Sequence, residues 1–210
     1  MNTVHIIEHP LVQHHLARLR DRDTEPAVFR ELVRRLAVLL AYEATAGLTL
    51  KPAEVVTPLA PARASRLDQR IALVPILRAG LGLVDPVLDL IPGAEVWHLG
   101  LRRDAKTLQP VEYYNKLPTR DPPDVALILD PMLATGGSAS AAVHVLAAWG
   151  VRHISLVSLI AAPEGVRRIQ EQFPEVRIFL AALDSHLNEH GFIVPGLGDA
   201  GDRMFNACAA

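Results

Sequence analysis

Residues 125–140 read VALILDPMLATGGSAS, and this stretch carries the clearest structural signal in the chain. An apolar run of strand length ends at Asp130, and after a short loop Thr135-Gly136-Gly137-Ser138 opens an alanine-rich helix. Adjacent glycines let backbone N–H groups converge without obstruction from Cβ atoms, and the helix start adds its positive dipole end. The pattern predicts a cradle for a phosphate monoester, with the Thr135 and Ser138 hydroxyls as further donors.

Asp130 lies where the predicted strand ends, so its carboxylate is placed to accept hydrogen bonds from sugar hydroxyls. A glycine-rich turn with a Ser/Thr cap would account for TGGS alone, and the phosphate interpretation depends on the preceding strand and the aspartate. The motif is not an ATPase P-loop, because no lysine follows the second glycine.

Apolar runs of strand length occur on both sides of this motif and alternate with helical stretches. The predicted strands are residues 71–76, 94–101, 125–129, 153–160 and 176–183, and the predicted helices are residues 81–90, 137–149 and 163–173. Near-continuously apolar strands that alternate with helices are typical of an α/β fold with a mainly parallel sheet flanked by helices. Ligands of such sheets bind beyond the carboxyl ends of the strands, so residues that follow strands are the site candidates.

The N-terminal part of the chain is predicted to be helical over its first fifty residues. Thr24-Glu25-Pro26 is a plausible helix start, apolar residues then recur at helical spacing, and Gly47 is a reasonable stop. Residues 51–70 are predicted to form a strand with an irregular connection. No repeat or low-complexity linker divides the chain, so residues 1–210 are interpreted as a single domain.

A second strand-to-helix junction lies at residues 73–82, LVPILRAGLG. Arg78-Ala79-Gly80 at this junction can present a guanidinium and exposed amides to an anion such as diphosphate. A dinucleotide fingerprint is a weak alternative, because Asp85 stands where the third glycine would be. A plain helix start with a solvent-exposed arginine would also account for this segment alone.

Two polar segments interrupt the α/β pattern. Residues 102–118, with Arg102, Arg103 and Lys106, are interpreted as a flexible lid or arm, although a charged run of this kind also fits a solvated face. Residues 184–206 contain four glycines and a proline among apolar residues, which excludes a regular helix and predicts an irregular C-terminal hood. Backbone polar groups of such a hood would face a ligand.

The hood contains an alternative motif, because His186, Glu189 and His190 match the inverted zinc-peptidase pattern H-x-x-E-H. That chemistry needs the three side chains on one stable helix, together with a further ligand. Gly191 and Pro195 follow at once, so a continuing helix is not expected.

The amino-acid composition narrows the classes of function that this protein can have. Half of the 210 residues are hydrophobic and 21% are charged, the balance of a folded globular protein, and the net charge of −2 gives no electrostatic case for nucleic acid as a partner. No apolar run approaches the length of a membrane span, and no signal-peptide order is present. With Cys208 as its single cysteine, the chain is predicted to be cytoplasmic.

Taken together, these segments resemble the uracil phosphoribosyltransferase family. The matching motifs are VPILRAGLG (74–82), the RD–TL–P–YY–KLP framework (103–118), ALILDPMLATGGS (126–138), AAPEG (161–165) and LNEHGFIVPGLGDAGDR (187–203). Their order and spacing agree over nearly the whole chain, and Pro131 follows the loop aspartate as in the uracil enzymes. Residues 51–70, Ala105 and Ser185-His186 depart from the family pattern, and none of them has an assigned chemical role.

The resemblance implies a type I phosphoribosyltransferase fold and transfer of the 5-phosphoribosyl group of 5-phosphoribosyl diphosphate (PRPP) to N1 of uracil, which gives UMP and diphosphate. It implies Asp130, Arg103 and Asp199 as catalytic residues. The residues that it implies for PRPP are Arg78, Arg103, Asp130, Pro131, Met132, Leu133, Ala134, Thr135, Gly136, Gly137, Ser138 and Asp199, and those for uracil are Ile193, Gly198, Asp199 and Ala200.

The resemblance also implies Mg²⁺ carried by PRPP, a homodimer or higher homo-oligomer, and in some members activation by GTP. Whether Asp199 takes the N1 proton or only orients PRPP and the metal is left open by the sequence. Two other functions are retained as alternatives: a non-catalytic regulator of the same fold that binds PRPP or nucleotides, and a zinc hydrolase that uses His186, Glu189 and His190.

Overall fold

The computed structural model describes residues 3–103 and 110–207. Its helices are α1 Pro10–Arg20, α2 Pro26–Ala44, α3 Leu81–Leu90, α4 Gly137–Trp149, α5 Pro163–Gln172 and α6 Ala200–Phe205. Its strands are β1 Val4–Ile6, β2 Leu50–Val56, β3 Pro61–Leu67, β4 Ile71–Leu77, β5 Glu95–Val96, β6 Leu99–Arg103, β7 Pro110–Asn115, β8 Val125–Leu129, β9 Met132–Leu133, β10 His153–Ala161, β11 Arg177–Leu183, β12 His186–Leu187 and β13 Ile193–Val194.

The predicted α/β architecture with a mainly parallel sheet is confirmed. The main sheet has the order β1-β11-β10-β8-β4-β6-β7, and all of these neighbours are parallel except the antiparallel pair β6 and β7. After β4 the chain adds β6 on one side of β4, and it then returns to add β8 on the other side. The strand order therefore reverses between β4 and β8. The carboxyl ends of β4 and β8 therefore meet at one edge of the sheet, where ligands of such folds bind.

Both faces of the central strands are buried, which explains their near-continuous apolar sequences. Along β8, Leu127 and Leu129 belong to a core shared with α1, α2, α3 and α6, whereas Ala126 and Ile128 belong to a second core shared with α4 and α5. Successive side chains of a strand point to opposite faces, so each central strand contributes to both cores. The sheet is thus fixed from two sides, and its carboxyl edge gives the site a rigid base.

Helix α2 begins where the sequence predicts. Pro26 occupies its first turn, where the missing N–H costs no hydrogen bond, and Phe29, Leu32, Val33 and Leu36 are fully or almost fully buried on one face. The helix ends at Ala44, shortly before the predicted stop at Gly47. Helices α3 and α4 match the predicted ranges, and α5 ends one residue before the predicted end at Phe173.

Three predictions about the remaining elements were incomplete. Residues 4–6 are not helical but form an edge strand on β11, where three residues carry too little pattern to be recognised. Residues 50–67 form a complete antiparallel hairpin of β2 and β3 rather than one strand with an irregular connection. The predicted strand over 94–101 is interrupted, because its first part pairs as β5 and its second part as β6, both with β4.

Cys208 and residues 104–109 of the predicted lid lie outside the described residues. In the described part of the chain, no helix is both long and apolar enough to cross a bilayer.

Candidate active site

Asp130 lies at the carboxyl end of β8, where the sequence places it. Its Oδ1 accepts a hydrogen bond from the Met132 backbone N–H at 3.2 Å. Burial raises the pKa of this carboxyl from 3.8 to about 7, and the Met132 N–H partly opposes that rise. Some of the Asp130 surface remains accessible, although protein atoms crowd the carboxylate. An ionised carboxylate in this position would be stabilised by hydroxyl donors, or by a cation, that a bound ligand supplies.

The loop that follows Asp130 forms a narrow cleft with an anion-binding geometry. The cleft is lined by Asp130, Met132, Leu133, Ala134, Thr135, Gly136, Gly137, Ser138 and Ala139. Gly136 has a φ of 74°, a conformation that glycine adopts without strain, and α4 begins at the next residue. The first amides of a helix have no intrahelical acceptor, so those of α4 are available to a phosphate.

Helix α5 packs directly against this loop. A Cβ on Gly165 would clash with the carbonyl oxygen of Ala134, and a Cβ on Gly136 would lie 3.0 Å from the carbonyl oxygen of Gly165. Backbone therefore packs directly on backbone, which explains the glycine in the AAPEG motif. Strand β9, immediately after Pro131, extends this support by pairing with the end of β10.

The Arg78-Ala79-Gly80 turn is packed against the end of β8. A Cβ on Gly80 would lie 2.7 Å from both the N and the O of Ile76 and even closer to the carbonyl oxygen of Leu129, so only glycine fits. Leu129 directly precedes Asp130, and this packing therefore brings the two predicted anion-binding junctions side by side. Arg78 is exposed, and its Nη2 lies 3.5 Å from Oδ1 of Asp202 on α6.

The C-terminal hood covers the same edge of the sheet. Strands β12 and β13 form a short antiparallel pair, Ile193 and Ala200 are buried, and Gly198 and Asp199 are exposed. The prediction that the hood contains no regular helix was wrong for Ala200–Phe205, which form α6. The four glycines act as turn residues before this helix and inside its first turn rather than preventing it. Asp199 caps α6, because its Oδ1 accepts the Asp202 N–H at 2.9 Å.

A family model described as uracil phosphoribosyltransferase matches residues 6–207. The chain belongs to the uracil phosphoribosyltransferase family. A uracil phosphoribosyltransferase from Roseiflexus castenholzii is 62% identical over 205 residues, which are 98% of this chain and 99% of that protein. One from Bacillus cytotoxicus is 52% identical over 206 residues, again 98% of this chain and 99% of the relative.

Solved structures agree with this family assignment at the level of the fold. The AQ2163 protein from Aquifex aeolicus is similar with a TM-score of 0.93 and 38% identity, over 99% of this chain and 100% of that one. A hypoxanthine phosphoribosyltransferase from Trypanosoma cruzi has a TM-score of 0.50 and 14% identity, over 75% of this chain and 76% of that one. The second likeness shows a shared type I phosphoribosyltransferase fold.

As a member of the uracil phosphoribosyltransferase family the chain is a transferase, and neither alternative function is favoured. The H-x-x-E-H motif is not helical: His186 lies in β12, and Glu189 and His190 lie in the turn toward β13. Asn188 organises that turn, since its Oδ1 accepts the N–H groups of His190 and Phe192. Residues 3–103 and 110–207 contain no cluster of three or more His, Cys, Asp or Glu side chains able to hold a metal.

In this member of the uracil phosphoribosyltransferase family, the described parts of the predicted lid, residues 102–103 and 110–118, are partly regular. Strands β6 and β7 pair antiparallel, with Arg103 opposite Pro110 and Gly100 opposite Tyr114. A Cβ on Gly100 would lie 2.7 Å from atoms of both Tyr113 and Tyr114, so glycine allows the two tyrosines to pack there. The side chain of Arg103 lies outside the described residues.

Sequence reasoning missed the residues that fix the hood of this family member to its N-terminal helices. Asp184, almost fully buried, pairs with Arg20 of α1. Arg203 of α6 donates to the carbonyl oxygens of Leu19 and Leu197 at 2.9 and 2.8 Å and stacks over Phe29 at 4.4 Å from its ring centroid. The motif GDR at 201–203 contained the signal for Arg203, but only a tertiary structure supplies its partners.

Proposed function

We propose that the Asp130–Ser138 cradle, the Arg78 turn and the C-terminal hood together form the site at which this chain transfers a 5-phosphoribosyl group to uracil. The reaction is that of the uracil phosphoribosyltransferase family. Uracil N1 forms a bond to C1 of the ribose, the bond from C1 to the diphosphate oxygen breaks, and N1 loses its proton. The observation that carries the proposal is the packing of Gly80 on Leu129, because it brings both anion-binding junctions to one edge of the sheet beneath the hood.

The ribose 5-phosphate part of PRPP occupies the Asp130 loop in this proposal. Residues Pro131, Met132, Leu133, Ala134 and Thr135 shape the loop, and the amides of Gly136, Gly137 and Ser138 bind the 5-phosphate at the start of α4. Asp130 accepts hydrogen bonds from the ribose hydroxyls. Its carboxylate also stabilises the positive charge that develops on the ring as diphosphate leaves.

The diphosphate part of PRPP is bound by Arg78 and Arg103. Arg78 lies at the rim between the Asp130 loop and α6, and its guanidinium is exposed apart from the contact with Asp202. Arg103 is the last residue of β6, and its assignment to the leaving diphosphate follows from the family resemblance. An arm closed over the site would exclude water, which would otherwise hydrolyse an activated PRPP.

The site fits Mg²⁺ that is carried by PRPP rather than held in a cage of protein ligands. Mg²⁺ is usually bound through one or two carboxylates together with substrate phosphates, and Asp130 and Asp199 supply carboxylates without forming a three-residue cluster in the described ranges. When bound as Mg-PRPP, the ion adds positive charge to the departing diphosphate. Asp130 and Asp199 would lie near the ion, and neither is assigned as its direct protein ligand.

Uracil is read by main-chain groups of the hood around Ile193, Gly198, Asp199 and Ala200. Uracil presents O2, N3–H and O4, an acceptor–donor–acceptor edge that backbone N–H and C=O groups can match. In this proposal the buried apolar residues Ile193 and Ala200 lie near the ring. Because the Asp199 carboxylate already caps α6, we assign Asp199 the role of orienting this loop and PRPP.

Three further properties belong to the proposal. A homodimer or higher homo-oligomer is supported by the β2–β3 hairpin, on which Val56 and Leu59 expose 86% and 96% of their surface. Activation by GTP and a cytoplasmic location follow from the resemblance and the composition. Size-exclusion chromatography with light scattering tests the first property, and assays with and without GTP test the second.

Product analysis of the purified protein tests the proposed reaction. Incubation with PRPP, uracil and Mg²⁺ is expected to form UMP and diphosphate in equal amounts, separated and quantified by chromatography. Asp130→Asn should form much less UMP while keeping the wild-type far-UV circular dichroism spectrum. Absence of UMP from the folded wild-type protein would reject the proposed function.

A further inference from the structure

Arg168, on α5, packs against the phosphate end of the Asp130 loop. A Cβ built on Gly136 would lie 3.3 Å from Cδ of Arg168, so the aliphatic part of this side chain lies directly beside the loop. The guanidinium begins at the next atom beyond Cδ. Gly136 is also the residue that precedes α4, whose free amides form the anion-binding end of the cradle.

Arg168 differs from the other half-buried arginines that the structure describes. Arg20 and Arg203 donate hydrogen bonds to protein acceptors, and Arg177 lies over the ring of Phe179. Arg168 is half-buried as well, yet its side chain forms no ion pair, hydrogen bond or ring contact with any described residue. A guanidinium without a protein counter-charge beside an anion-binding loop is available to pair with an anionic ligand.

Glu164, one helical turn before Arg168, uses its carboxylate for a hydrogen bond to the hood. Glu164 Oε1 accepts the Leu187 N–H at 3.0 Å, which turns this side chain toward β12 of the hood. That hydrogen bond is the main cause that lowers the pKa of Glu164, and the nearby charges that lower it further are His186 and Arg167. Arg168 is therefore not neutralised by Glu164, the acidic residue four positions before it.

We infer that Arg168 is a specificity-determining residue that binds the 5-phosphate of PRPP and UMP from the α5 side of the cradle. The inference rests on the proposed function, since it names a further ligand-binding group of the same site. The fork of a guanidinium can bind two phosphate oxygens at once, whereas the α4 amides approach the same phosphate from the loop. Arg168 thus adds a full positive charge to a cradle otherwise built from backbone dipoles and hydroxyl groups.

Binding measurements that separate the two ends of PRPP test this inference. UMP contains the 5-phosphate but no diphosphate, and inorganic diphosphate contains no 5-phosphate. Calorimetry with each ligand, and KM for PRPP and uracil, should be compared for wild type, Arg168→Met, Arg168→Lys and Arg167→Met. Methionine keeps much of the unbranched apolar stem, and the exposed neighbour Arg167 provides a matched loss of charge from the same helix.

Arg168→Met is expected to raise the Kd for UMP and the KM for PRPP about tenfold, a free-energy change of about 1.4 kcal/mol. The Kd for diphosphate and the KM for uracil should stay within about twofold of wild type. Arg168→Lys should retain part of the affinity for UMP, and Arg167→Met should behave as wild type.

Wild-type UMP affinity in Arg168→Met would overturn the inference, and so would equal weakening of UMP and diphosphate. A lowered melting temperature with unchanged UMP affinity would also overturn it, because Arg168 would then be purely structural. These outcomes differ from failure of the proposed function, in which the wild-type protein itself forms no UMP.

Discussion

Arg20 and Asp184 form a two-point ion pair that holds the hood on the N-terminal helices. Arg20 Nη1 lies 2.8 Å from Asp184 Oδ2, and its Nη2 contacts Asp184 Oδ1. The same pair satisfies both backbone groups of Gly196: its carbonyl oxygen accepts from Arg20 Nη1 at 2.7 Å, and its N–H donates to Asp184 Oδ2 at 2.8 Å. The loop between Ile193 and Gly198, proposed to read uracil, is thereby positioned from α1.

Loss of this ion pair should destabilise the protein and impair uracil use. Arg20→Met leaves the Asp184 carboxylate, whose side chain is 3% exposed, without its counter-charge, which should cost about 3 kcal/mol in the free energy of unfolding. Because Gly196 also loses a partner, the KM for uracil should rise more than the KM for PRPP. Denaturant unfolding and steady-state kinetics measure the two effects.

Arg22→Met is the matched control for Arg20→Met. Among the residues that the structure describes, Arg22 pairs only with Asp23, and both side chains are more than four-fifths exposed, at 93% and 84%. Such surface pairs contribute about 0–1 kcal/mol. Equal effects of the two substitutions would show that the Arg20–Asp184 pair does not position the hood.

Asp130 should make PRPP use depend on pH. Burial raises its pKa to about 7, so the free enzyme loses the carboxylate charge as pH falls through 7. If that charge binds Mg-PRPP, kcat/KM for PRPP should fall about tenfold per pH unit below this value, and Asp130→Asn should remove this dependence. A wild-type profile that is flat between pH 5.5 and 8, values chosen to bracket about 7, would contradict the assignment.

The Asp130 carboxyl also predicts that the stability of the protein changes with pH in the direction opposite to PRPP use. Because the folded-state pKa is raised, the protonated carboxyl favours the folded protein at low pH, and this contribution is lost as pH rises through about 7. The melting temperature of Asp130→Asn, relative to that of wild type, should therefore be higher at pH 8 than at pH 5, values on either side of about 7. A constant difference in melting temperature between the two proteins across this range would show that burial does not destabilise the ionised Asp130 carboxylate.

Gly80→Ala tests the packing that brings the two anion-binding junctions together. An alanine Cβ would lie 2.7 Å from Ile76 backbone atoms, and overpacking against backbone should cost about 1–3 kcal/mol or more. The turn that carries Arg78 should shift, with a matching loss of kcat/KM for PRPP. Gly93→Ala is the control, since its Cβ would meet no atom within 4 Å and should be nearly neutral.

Much of the fold was predictable because the central strands are apolar on both faces and each is followed by a clear helix start. The exact limits of α3 and α4 follow from such junctions, and Asp130 was placed at the end of β8 by the same reasoning. Local sequence determines these features. The hairpin of β2 and β3 was less predictable, since it buries little surface and its apolar pattern is weak.

Contacts between distant parts of the chain could not be read from the sequence. Nothing in the pattern around Arg20 distinguishes it from exposed Arg22, and only the arrival of Asp184 beside α1 does so. The short helix α6 was missed for a related reason. Its cap Asp199 and the stacking of Arg203 on Phe29 stabilise a segment whose glycines disfavour a helix on local grounds.

Arg103 should require its guanidinium and not only its charge. A guanidinium binds two diphosphate oxygens in a planar geometry that an ammonium cannot match, so Arg103→Lys should lose most activity. Arg102→Lys is the control, because it makes the same change at the neighbouring residue of the same strand. Near-normal turnover of Arg103→Lys, with a loss in Arg102→Lys instead, would transfer the assigned role to Arg102.

Base selectivity tests the central claim most directly, because it depends on the proposed main-chain recognition of uracil. Cytosine presents an acceptor at N3 and a donor at the 4-position, so hood groups that match uracil would face like groups. Sites that hydrogen-bond their ligand in this way reject mismatched analogues by roughly 10⁴-fold. A small substituent at C5 leaves this edge unchanged, and a purine is too large for a pyrimidine site.

The measurement is nucleotide formation from uracil, 5-fluorouracil, cytosine and hypoxanthine under identical PRPP and Mg²⁺. We expect efficient conversion of uracil and 5-fluorouracil, and kcat/KM for cytosine lower by about 10⁴-fold, with no product from hypoxanthine. Efficient conversion of cytosine or hypoxanthine, with uracil a poor substrate, would contradict the proposed substrate and leave only phosphoribosyl transfer standing.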